Sequence, residues 1–121
     1  MHRTVLATLV ALCILVPNAQ ARFVTGQNLL RVCESKAPSD KAICLGFVDG
    51  VIDTIDVLRS IQGAPSCFPS RVEPRQAIDV IVRWLKANPD DQRYAAAGLT
   101  INAVADAWPC PGAGQGGRGS E

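Results

Sequence analysis

Four cysteines, Cys33, Cys44, Cys67 and Cys110, follow what reads as an export signal, and that combination narrows both compartment and architecture. Residues 1–21 have a basic start (His2, Arg3), an apolar run over residues 5–16 and the small-residue exit Ala19-Gln20-Ala21, the layout of a cleaved secretory signal. The predicted mature chain starts at Arg22 and lives where thiols oxidise. The apolar run is shorter than the about 20 residues of a membrane-spanning helix and is closed by Pro17. No membrane association is expected once the signal is gone. The fifth cysteine, Cys13, leaves with the signal, as does the only histidine, His2.

Cleavage after Ala21 leaves 121 − 21 = 100 residues, enough for one small domain, expected over residues 22–110. Of 12 basic residues only Arg3 is lost, so 11 bases face 11 acids. A chain of zero net charge has no bulk attraction for nucleic acid or anionic lipid. Without imidazole, every Ser-His, Cys-His and His-metal arrangement is excluded from the mature chain. No enzymatic activity and no cofactor or metal are expected.

Helical periodicity dominates, and the predicted fold class is all-α, a small four-helix bundle stapled by disulfides. Thr25 caps a first helix that runs to about Glu34, and Pro38 stops it. Ser39 caps a second helix, carrying Ile43, Phe47, Val51, Ile55 and Leu58 at helical spacing, with Val48 and Ile52 widening the stripe, as far as Ile61. Residues 62–70 are rich in Gly, Pro and Ser and form a loop around Cys67. Pro74 opens a third helix with Ile78, Ile81, Val82 and Leu85 on one face. Asn88 caps a fourth, alanine-rich helix that starts at Pro89 and reaches about Trp108. Residues 111–121 hold five glycines and no core-forming residue beyond Ala113, the composition of a disordered tail.

Short connections make neighbouring helices antiparallel, which brings Cys33 to Cys44 and Cys67 to Cys110; this is the favoured one of three connectivities. The alternative for the thiols, a redox pair or metal site, lacks a Cys-x-x-Cys motif and a supporting histidine. Gly46 and Gly50 sit four apart inside the second helix, each weakening it by about 1 kcal/mol relative to alanine. Packing against the Ala95-Ala96-Ala97 stretch is the expected reason, with a dimer contact as the second. Asp49, Asp53 and Asp56 form an acidic stripe on the same helix. It reads first as a solvated face, then as a partner contact, and last as acid-base or Ca²⁺ chemistry. Trp84 lies off the main apolar face of its helix, either partly buried or exposed as an interface anchor.

The runs Cys44-Leu45-Gly46-Phe47-Val48-Asp49-Gly50-Val51-Ile52-Asp53, Cys67-Phe68-Pro69, Leu85-Lys86-Ala87-Asn88-Pro89 and Trp108-Pro109-Cys110 together resemble the Rap and Tai immunity proteins over residues 23–110. The resemblance implies a small periplasmic helical protein, often a homodimer, that binds and blocks a peptidoglycan amidase effector of type VI secretion by entering its cleft. The motifs do not say which element enters. On exposure and tethering, the loop 62–70 is the candidate, with Phe68 at its centre and Arg59 and Arg71 at its base; Asp53, Asp56 and Trp84 are further candidate partner-binding residues. The competing class is a periplasmic chaperone of the small acid-resistance type, also helical and disulfide-bonded.

Overall fold

The structure is a computed structural model that describes residues 24–111. The predicted signal, residues 1–21, and the predicted tail beyond Pro111 lie outside the described residues. Four α-helices and one 3-10 turn make up the bundle: α1 (Gly26–Glu34), α2 (Pro38–Ile61), α3 (Pro74–Ala87), the turn Pro89–Arg93 and α4 (Ala96–Ala107). No strand longer than an isolated bridge occurs among the described residues. The expected all-α class is therefore the observed one.

The starts of α1, α2 and α3 have local causes, and that of α2 differs from expectation. Thr25 caps α1 as predicted, its hydroxyl accepting from the Asn28 N–H at 3.3 Å. Pro38, expected to stop the first helix, instead opens α2: Ala37 is the cap residue and Ser39 already lies inside. Proline is at home in a first turn, where its missing N–H has no intrahelical partner to lose. α3 begins with a reciprocal cap in which Glu73 accepts from the backbone of Gln76 and the Gln76 side chain accepts from the Glu73 N–H at 3.0 Å. Its last carbonyls are met by side chains, Asn88 Nδ2 donating to Trp84 O and Gln92 Nε2 to Leu85 O, both at 2.8 Å.

The fourth helix expected from Pro89 to Trp108 is broken in two. Asn88 makes no side-chain cap there, and residues Pro89–Arg93 wind only as a 3-10 turn before the chain extends through Tyr94 and Ala95. The extension is held by the segment preceding α1: Gly26 N donates to Tyr94 O at 3.0 Å and Ala96 N to Val24 O at 2.9 Å, an antiparallel bridge between Thr25 and Ala95. Backbone groups freed by the break thus find partners far away in sequence.

The core gathers Leu29 and Val32 of α1, Cys44 and Val48 of α2, Ala77, Ile81 and Leu85 of α3, and Ala96, Leu99, Ala103 and Val104 of α4. On α2 the buried line is Cys44 and Val48, with Ile52 and Ile55 partly buried. Ile43 and Leu58, placed on the apolar stripe by periodicity, are solvent-exposed. α2 is apolar on both sides, so spacing alone cannot choose which side turns inward. Cys33 is bonded to Cys44 and Cys67 to Cys110, closing the α1–α2 corner and tying the loop before α3 to the segment after α4.

Candidate partner-binding site

The loop 62–70 leaves α2 through Gly63, whose φ of 67° is a left-handed value that other residues adopt reluctantly. Its conformation is then fixed at several points. Arg59 Nε donates to Pro65 O at 2.8 Å, Ser66 Oγ donates to Asp56 Oδ1 at 2.7 Å, and the Phe68 N–H donates to Ser66 Oγ at 3.1 Å. Cys67 is buried and disulfide-bonded to Cys110. Phe68 meets Trp108 edge-on, ring centroids 5.9 Å apart at 70°, a favourable aromatic geometry. The loop is thus anchored at its base, middle and far end. Pro65, Ser66, Pro69 and Ser70 remain exposed.

Between this loop and α2 lies a groove of about 580 Å³. Its walls bring together Asp53 and Asp56 from α2 with Phe68 from the loop, three residues singled out from sequence. Asp49 and Glu73 add two further carboxylates, and Ile52, Val72 and Ala77 supply apolar floor. Among the described residues no lysine, arginine or histidine lines it. The acidic stripe is therefore one wall of a concave surface. Such a surface attracts cationic or hydrogen-bond-donating groups of a partner. Among the described residues no group of three or more His, Cys, Asp or Glu side chains is arranged to hold a metal ion, and no helix is long and apolar enough to cross a membrane.

The remaining candidates separate. Arg59 is turned into the loop, where it holds Pro65. Arg71 is exposed and borders a different hollow, with Pro69, Arg83 and Trp108. Trp84 is half-buried, packs against the core, and its Nε1 donates to Asp106 Oδ2 at 2.8 Å. Partial burial rather than an open indole is the outcome for that residue. Gly46 and Gly50 are also placed otherwise than expected: a Cβ on either would meet nothing within 4 Å, so neither is packed against the alanines of α4. Glu73 was not singled out as a groove residue by sequence reading, although its Glu-Pro-Arg-Gln run is a recognisable capping box that fixes it at the start of α3.

Residues 25–110 match the family model of the Rap1a immunity proteins. No curated protein and no solved structure matches the chain. The match spans both disulfides, all four helices and the tethered loop, and on it the chain belongs to the Rap1a immunity protein family.

Proposed function

We propose that this protein is exported through residues 1–21, acts in the periplasm as a homodimer, and binds and occludes a peptidoglycan amidase effector of type VI secretion without catalysing a reaction itself. Family membership supports the immunity role, which implies a protein effector as partner. The observation that carries the choice of surface is the loop 62–70. It is exposed at Pro65, Ser66, Pro69 and Ser70 yet tied to α2, Trp108 and Cys110. A segment already ordered loses little conformational entropy when it enters a cleft, so a modest contact area can still give tight binding.

In this reading the loop is the occluding element, Phe68 supplies an aromatic anchor, and Asp53 and Asp56 present carboxylates to the groove beside it. Arg59 acts through loop geometry, and Arg71 and Trp84 lie toward the periphery of the contact. Two intact disulfides accord with an oxidising compartment. The test is co-purification of the oxidised protein with candidate peptidoglycan amidase effectors, compared between the natural chain and Phe68→Ala. The proposal expects a stoichiometric complex that Phe68→Ala weakens at least tenfold. A complex indifferent to Phe68, Asp53 and Asp56 together would move the contact to another surface.

A further inference from the structure

α2 carries a face that nothing among the described residues covers. At about 100° per residue, Ile43, Gly46, Gly50, Thr54, Val57 and Ile61 fall along one line of the helix, on the side opposite the Cys44 and Val48 row that enters the core. Ile43, Val57 and Ile61 are 58, 57 and 77% exposed, and Leu58 at the margin is 55% exposed. No charged residue stands in the line itself, and Asp53 flanks it about 60° round the helix from Gly50. The two glycines weaken the helix, and nothing among the described residues calls for them, since an added Cβ at either would reach no atom within 4 Å. Thr54, the one hydroxyl in the line, donates to Gly50 O at 2.7 Å. Its hydrogen-bonding capacity is directed along the helix rather than toward water.

Over residues 43–57 the line reads alike in both directions about Gly50, while Ile61 beyond it has Ser39 as its counterpart and lies outside the symmetry. Gly46 and Thr54 stand four residues to either side, and Ile43 and Val57 seven to either side, so small is matched with small and β-branched with β-branched. A helix with this symmetry is complementary to itself when a second copy lies antiparallel across a two-fold axis, the isologous arrangement of a closed dimer. Glycines at the crossing point let the two backbones approach, Ile43 of each copy then packs beside Val57 of the other, and the opposed helix dipoles add a small favourable term.

We infer that this face of α2 is the self-association surface, occupied by the α2 of a second copy with Gly50 facing Gly50 across the two-fold axis. The inference rests on the homodimer reading above and specifies its interface and register. It leaves the loop 62–70 outside the dimer contact and available to an effector.

The test combines light scattering with single-cysteine crosslinking of the oxidised protein. Gly50→Cys links to its own copy on mild oxidation and runs as a covalent dimer on a non-reducing gel. Ile61→Cys, whose own copy lies roughly 30 Å away at 1.5 Å per residue, does not. Gly50→Lys raises the dimer dissociation constant at least a hundredfold while leaving the helical circular dichroism of the monomer intact, because that position is open in the protomer. A dimer that survives Gly50→Lys and gives no Gly50→Cys link overturns this face while leaving the homodimer reading in place. A natural chain that is monomeric at 100-fold above the micromolar range, on the order of 0.1 mM, overturns both.

Discussion

Gly26 stands where the chain has no room for a side chain. A Cβ there would press on the Leu99 side chain and come within 3.0 Å of Gln92 Cα, because the first residue of α1 is laid directly over the extended segment that precedes α4. Gly26→Ala is expected to destabilise the fold by about 1–3 kcal/mol, the usual range for overpacking, despite the better helix propensity of alanine. Urea denaturation at neutral pH measures it. Thr100 is the opposite case: fully buried in α4, its Oγ1 has no hydrogen-bond partner among the described residues. Replacing it with valine keeps the shape and removes a desolvated hydroxyl, so Thr100→Val is expected to stabilise by about 1 kcal/mol in the same assay. Neither residue stands out in the sequence, since the crowding at one and the isolation of the other are set by elements distant along the chain.

At the scale of elements, what could be read from the sequence was whatever is decided locally. Thr25 before α1, the Pro74 start of α3 and the Gly-Pro-Ser composition of residues 62–70 are short-range signals, and each element lies where those signals place it. The fourth helix misled because nothing within residues 88–96 announces the break; it is imposed by backbone hydrogen bonds from Val24 and Gly26. α2 misled for another reason. Its two apolar sides are equivalent to any periodicity argument, and only the packing of α1, α3 and α4 selects Cys44 and Val48 over Ile43 and Gly50. The candidate groove was half legible: Asp53, Asp56 and Phe68 were visible as exposed or acidic residues, but their convergence depends on the loop folding back along α2 through Arg59 and Ser66. The reciprocal cap at Glu73 also fixes one edge of that groove. Glu73→Ala is expected to cost about 1 kcal/mol by losing the cap, measurable as a lowered denaturation midpoint with an unchanged slope.

For the whole molecule, the two disulfides make complementary closures. The Cys33–Cys44 bridge spans 11 residues and the Cys67–Cys110 bridge spans 43, which on the chain-entropy account stabilise by about 3 and about 4 kcal/mol respectively. Replacing both Cys67 and Cys110 with serine is expected to lower stability by up to about 4 kcal/mol and to loosen the loop around Phe68, seen together as a lower unfolding midpoint and faster amide exchange over residues 62–70. A small bundle with one core spread over four helices needs that support, and the antiparallel pairing that places the cysteines was itself readable from the short connections. The architecture leaves two surfaces uncommitted within the protomer, the loop-and-groove side and the outer line of α2, which suit an effector and a second copy without competing for the same residues.

The most direct measurement of the central claim is the rate at which a candidate peptidoglycan amidase effector cleaves purified peptidoglycan, followed as the oxidised protein is titrated in. The immunity account predicts a linear fall to background at one protomer per enzyme, with the natural chain effective and Phe68→Ala displaced to at least tenfold higher concentration. Unchanged cleavage at saturating protein would contradict it, and protection of unrelated acid-unfolded proteins in the same preparation would assign the molecule to chaperoning instead.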